Sequence, residues 1–143
     1  MTGDLRLLRL VGSQLEQAGV SVLVFGGWAE ELLGVLPPRL HRDIDLLLLG
    51  PVQALLAKFL DASGAIPEKR SSQKRALEVE GTLVELFLAR KEGGTYVTLF
   101  WDEVRWRWPV NLAESVSGLR VASREALAGY RLNWATLQAA RPT

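Results

Sequence analysis

Apolar positions recur along the chain with two different periods, and the change of period marks out the elements. Leu5, Leu8, Leu15 and Ala18 fall near one helical face after Asp4, a capping residue, and Gly19 follows as a stop, so a packing helix is predicted at the N-terminus. Residues 21–25 form an apolar run with the character of a buried strand, and Gly26-Gly27 turns it into a short helix over about 28–33. Pro37-Pro38 ends that segment and leaves Arg39, His41 and Arg42 in a loop. Asp43-Ile44-Asp45 and four leucines then predict a second buried strand.

Further on, Pro51, the apolar set Val52, Leu55, Leu56, Phe59 and Leu60, and Gly64 predict a helix over 52–63. After a polar loop at 67–73, residues 74–80 and 82–89 read as two strands joined at Gly81, hence a hairpin. Gly93-Gly94 precedes another strand over 95–101. Val121 closes a short segment, and Ser123 caps a last helix with Glu125 in its first turn and Leu127, Tyr130, Leu132 and Trp134 available for packing. With no repeat, low-complexity tract or linker, the chain is expected to form one α/β domain over residues 1–143.

The chemistry concentrates at 22–49. On a strand of period two, Asp43 and Asp45 project from one face while Ile44 points into the core. Two acids on one strand face repel unless a positive group lies between them, and a hard divalent cation suits their oxygens. They could instead be strand-edge aspartates facing water. A strand, a glycine turn and a helix start also make a seat for an anion at Gly26-Gly27; a tight turn without a ligand is the alternative. Glu85 lies inside an apolar run expected to be buried on both faces, where an unpaired carboxylate is costly. Either a salt bridge to Arg75, Arg90 or another basic side chain compensates it, or it stands beside Asp43 and Asp45 and completes a three-carboxylate site.

The order Gly26-Gly27-Trp28-Ala29, an acidic residue and Leu, Gly34, then Arg39-x-His41-x-Asp43-Ile44-Asp45-Leu46 resembles the nucleotidyltransferase superfamily, specifically the small aminoglycoside and lincosamide nucleotidyltransferases. The resemblance is strong over 25–48, moderate to about Leu88 and thin beyond. It implies an α/β (α+β) fold, a nucleotidyltransferase-like mixed β-sheet flanked by helices, with Gly26, Gly27, Arg39 and His41 near the nucleotide and Asp43, Asp45 and Glu85 as metal and catalytic residues. Glu85 departs from the aspartate usual at the third acidic position, and Glu30-Glu31 from an apolar residue followed by aspartate, a change expected to matter little. The implied reaction moves a nucleoside monophosphate, most simply AMP from ATP, to a hydroxyl of a small acceptor, with two Mg2+ or Mn2+ ions and a nucleoside triphosphate as co-substrate. The competing class is a binding module, since nucleotidyltransferase domains of this superfamily also act as antitoxins paired with a helical ribonuclease toxin.

Composition narrows the partners. At 143 residues, 48% hydrophobic and 23% charged, the chain has material for a core but no room is expected for a separate acceptor domain. A net charge of +1 argues against electrostatic capture of nucleic acid. Without cysteine and with one histidine, disulfides, thiolate chemistry and multi-histidine metal centres are excluded. The interrupted N-terminal leucines and the lack of a run of about twenty apolar residues predict a soluble, cytoplasmic protein. A mean hydropathy of +0.11 with five tryptophans predicts a homodimer whose partner subunit helps wall the acceptor cleft. The alternation Arg105-Trp106-Arg107-Trp108 could stack a base or sugar, but an edge strand with its tryptophans inward is the favoured reading.

Overall fold

The computed structural model describes residues 5–50, 74–101 and 103–141. The Asp4 cap, the helix expected over 52–63 and the polar loop at 67–73 lie outside the described residues. The elements run α1 (Leu5–Gln17), β1 (Ser21–Phe25), α2 (Gly26–Leu32), β2 (Asp43–Leu49), β3 (Lys74–Val79), β4 (Thr82–Glu92), β5 (Thr95–Phe100), β6 (Val104–Arg107), β7 (Ala113–Val116), β8 (Leu119–Ala122) and α3 (Arg124–Ala139). Eight strands form one mixed sheet in the order β6-β5-β4-β2-β1-β8-β7, with β3 also paired to β4. Among the described residues three helices flank it, the α+β arrangement expected.

The sheet's centre is the apolar run of β2. It pairs antiparallel with β1, Phe25 opposite Asp45, and parallel with β4, Asp45 opposite Glu85. Because side chains alternate across a strand, Val24, Leu46 and Leu86 share one face while Phe25, Asp45 and Glu85 share the other. The first face is closed by α1, which buries Leu7, Leu8, Val11 and Leu15. Leu5 stays partly in water, so the buried stripe runs through Leu7 and Val11 rather than Leu5 and Ala18. The second face is only partly covered. Tyr130 of α3 meets Phe25 edge-on at 5.0 Å and stacks near Trp108 at 6.0 Å.

Several boundaries differ from expectation for physical reasons. The helix after β1 begins at Gly26 itself, so the glycine pair is the first turn of α2 rather than a loop ahead of it. The β4 strand runs on to Glu92 because β5 takes over the edge that β3 leaves. Val121 belongs to a hairpin, β7-β8, whose Ser117-Gly118 turn has two positive φ angles; Val121 also pairs parallel with Val24. In the Arg-Trp alternation β6 is an edge strand, Arg105 and Arg107 face water, and Trp108 just beyond it is 1% exposed, its Nε1 donating to Thr98 Oγ1 at 2.8 Å. Ser123 caps α3 by accepting from the Ala126 N–H, but of the four residues expected to pack, Leu132 and Trp134 are exposed at 85% and 51%.

Candidate active site

Asp43 and Asp45 leave β2 on the open face, and the parallel register with β4 puts Glu85 beside Asp45. Oxygens of all three carboxylates come within 4.8 Å of one another. The face that Glu85 occupies is the cleft, so β4 is not buried on both sides: Val84, Leu86 and Leu88 are in the core, while Glu85 keeps partial exposure. The two accounts offered for Glu85 hold together. It stands by the aspartates, and it is ion-paired, though to Lys74 of β3 (Nζ to Oε2, 2.9 Å) and not to Arg75 or Arg90.

Of the three, Asp45 has a carboxylate oxygen cut off from water. Its Oδ1 is buried and, among the described residues, has no hydrogen-bond partner. Burial first, then the charges of Asp43 and Glu85, pushes its carboxyl up to about 7, with Lys74 opposing. Such a group is costly unless something positive meets it, and three hard oxygen donors converging around an unpartnered one fit a divalent cation. Tyr130 above the cluster is likewise pushed up to about 12, by burial and then by Asp45 and Glu85, so its phenol stays protonated at neutral pH and can donate.

The glycine pair is the seam between this acidic strand and the basic loop. Gly26 has φ +63°, and a Cβ there would lie 2.5 Å from Asp45 Oδ2. Gly27 faces the other way, and a Cβ on it would collide with the Arg39 guanidinium and lie 3.2 Å from His41 Nδ1. Arg39 thus lies over the first turn of α2. His41 does not reach the cleft. It stacks on Trp28 at 4.3 Å, and its Nε2 lies 2.8 Å from Glu31 Oε1, behind the glycine turn.

Two cavities flank the seam. One of about 240 Å³ contains Asp45, Lys74 and Glu85 with Phe87, Phe100 and Trp101; one of about 440 Å³ contains Gly27, Glu30, Arg39 and Arg131. Phe25, Gly26, Tyr130 and Trp134 border both.

Some of these residues escaped the sequence reading. Glu30 and Glu31 are far from incidental. Glu30 is 5% exposed and takes two hydrogen bonds from Arg131 of α3. Glu31 Oε1 accepts from the Arg39 N–H at 3.0 Å as well as from His41. Burial raises the Glu31 pKa, but the Arg39 and His41 hydrogen bonds and charges outweigh it and leave it below the ordinary range. Lys74 could have been found: a tight turn at Gly81 sets Lys74 opposite Phe87 and so diagonal to Glu85 on the same face. Tyr130 and Trp134 gave no local signal, because only the return of α3 over the open face brings them there.

Comparison with solved structures gives the same architecture at low identity. ANT(2'')-Ia in complex with adenylyl-2''-tobramycin matches with a TM-score of 0.64 and 18% identity, over 96% of this chain and 82% of its own. The lincomycin-bound lincosamide antibiotic adenylyltransferase LnuA matches at 0.69 and 14%, over 96% and 98%. A protein from Thermotoga maritima assigned to the nucleotidyltransferases matches at 0.63 and 22%, over 98% and 91%. These likenesses show a nucleotidyltransferase-like fold. The comparison with curated protein sequences returned no match. Among the described residues no helix is long and apolar enough to cross a membrane. The aminoglycoside-2''-adenylyltransferase family model matches residues 7–124, which take in the glycine seam, the basic loop and all three carboxylates, and the chain belongs to that family.

Proposed function

We propose that this nucleotidyltransferase moves AMP from ATP to a hydroxyl of a small, ring-bearing acceptor, within one domain spanning residues 1–143. The observation that carries the reading is the convergence of Asp43, Asp45 and Glu85 beside Gly26, with Asp45 Oδ1 buried and, among the described residues, unpartnered. Asp43 and Asp45 would hold divalent ions, Mg2+ or Mn2+, with Glu85 as a third ligand or as the base. Bound there, the ions would neutralise the triphosphate and acidify the acceptor hydroxyl. The larger cavity suits the nucleotide: Gly27 lets the backbone approach a phosphate, and Arg39 offers a planar fork to its oxygens. The smaller cavity suits the acceptor, because Glu85 is on its wall and Phe87, Phe100 and Trp101 supply ring faces. In the reaction the acceptor oxygen attacks the α-phosphorus, Glu85 takes the hydroxyl proton, the bond to the β-phosphate oxygen breaks, and pyrophosphate leaves.

The relatives bound to adenylyl-2''-tobramycin and to lincomycin make aminoglycoside- and lincosamide-like antibiotics the first acceptors to test. Trp134 borders both cavities and is half exposed, so a second copy of the chain packed on α3 would wall the cleft; light scattering at micromolar concentration that returned only monomer would remove this part. Calorimetry with ATP tests the core of the proposal. Binding is expected with Mg2+ and should be lost on chelation; equal affinity in both conditions refutes the site. A screen of acceptors with labelled nucleoside triphosphates then identifies the product.

A further inference from the structure

We infer that Lys74 is a positioning residue that holds Glu85 apart from the cation of the Asp43–Asp45 pair, so that Glu85 is left free to act as the base. The inference rests on the metal reading above and divides the labour within it.

Lys74 opens β3, and the antiparallel register sets it opposite Phe87, with Glu85 two residues earlier on the same face of β4. Its side chain is fixed at two points. The ammonium lies 2.9 Å from Glu85 Oε2 and 5.1 Å from the centroid of the Phe87 ring. At 30% and 15% exposure, the Lys74 and Glu85 side chains are partly withdrawn from water, and both line the smaller cavity. The ammonium is a compact charge with three donors, so it can engage one carboxylate oxygen without gripping both as a guanidinium fork does.

The placement of this cation matters because, among the described residues, its direct contact is with one end of the cluster. Three carboxylates crowd within 4.8 Å, yet the fixed cation contacts Glu85, while Asp45 Oδ1 is the cluster atom left buried without a partner among the described residues. A metal ion drawn to this unmet demand sits with the aspartates. For Glu85 to join its ligands, Oε2 would have to give up the ammonium, leaving Lys74 unpaired beside an incoming cation. Like charges at that range repel, so the lysine both retains Glu85 and screens it from the metal. A salt bridge with no role beyond support of the hairpin would alter metal affinity only through the loss of one nearby positive charge, without adding a ligand.

The test uses Mn2+ alone, titrated into the whole protein and followed by the electron paramagnetic resonance of free Mn2+, so it needs neither nucleotide nor acceptor. Lys74→Met is expected to tighten Mn2+ binding by about tenfold, since it removes a neighbouring positive charge and frees a third carboxylate. Lys74→Arg should return the affinity to the wild-type value. The decisive variant is Lys74→Met combined with Glu85→Gln, which deletes the two charges together; it should bind Mn2+ as the wild type does, within about threefold. Unchanged affinity in Lys74→Met overturns the inference. So does a loss in the double variant as large as that in Asp45→Asn, because Glu85 would then be a ligand in the native site. Mn2+ binding that survives Asp45→Asn overturns the metal reading itself, an outcome distinguishable from the other two.

Discussion

At the scale of single residues, Asp45 concentrates the conflict between folding and function. Its carboxyl is pushed up to about 7 from the ordinary aspartate value of 3.8, by burial and then by Asp43 and Glu85. Between those values the metal-free native protein holds a proton that the unfolded chain has released, so the contribution of Asp45 to stability is full below about pH 4 and is lost as pH rises to about 7. At about 1.4 kcal/mol per pH unit the loss is roughly 3 to 4 kcal/mol. Asp45→Asn cannot ionise and should escape it. In the metal-free state its melting temperature should pull ahead of the wild type's as pH rises from 4 to 7, and the gap should level off above 7; a gap that does not vary with pH would refute the assignment. Gly26 is the second residue under constraint. Gly26→Ala meets an unfavourable φ and a Cβ 2.5 Å from Asp45 Oδ2, so it should cost about 1 to 3 kcal/mol in a melt and abolish Mg2+-dependent ATP binding by calorimetry.

At the scale of elements, α2 shows what could be read from sequence and what could not. The strand-turn-helix and the D-x-D strand were legible because both depend on local pattern: an unbroken apolar run, a glycine pair, and period-two alternation through Ile44. The Asp45–Glu85 adjacency was legible only with the resemblance, since parallel pairing of β2 with β4 spans some forty residues. What adjacent acids on α2 do was not legible, because Glu30 and Glu31 leave the helix in different directions and find partners 101 and 10 residues away. Glu31 fastens the basic loop to the helix through the Arg39 N–H and His41. Glu31→Ala removes both contacts, and the loop should then present Arg39 less firmly. ATP affinity is expected to fall about tenfold, the worth of one charge-assisted hydrogen bond, while Mn2+ affinity stays unchanged. A parallel loss of Mn2+ binding would show that the variant disturbs β2 instead.

At the scale of the whole molecule, the cleft exists because α3 returns across the open face of the sheet and is tied down at several points. Arg124 donates to the Leu33 carbonyl at 3.2 Å, Trp101 Nε1 donates to the Leu137 carbonyl at 2.7 Å, and Arg131 forks onto Glu30. The last tie joins α3 to the helix that carries the glycine seam, and its neighbours Tyr130 and Trp134 border both cavities. Arg131→Ala would leave the Glu30 carboxylate, 7% exposed, without its partner. Because the Arg131 side chain is itself 64% exposed, solvent already screens part of the pair, and the cost belongs at the low end, about 1 to 2 kcal/mol. Replacing both residues by methionine removes the stranded charge and should recover most of that stability. It should not recover ligand affinity, since the fork that fixes the angle of α3 over the cleft is gone from both variants. The expected pattern is a lowered melting temperature and weakened ATP binding in Arg131→Ala, then a restored melting temperature with ATP binding still weak in the double variant. Recovery of both together would mean that the ion pair supports the fold alone and that α3 holds its place over the cleft without it.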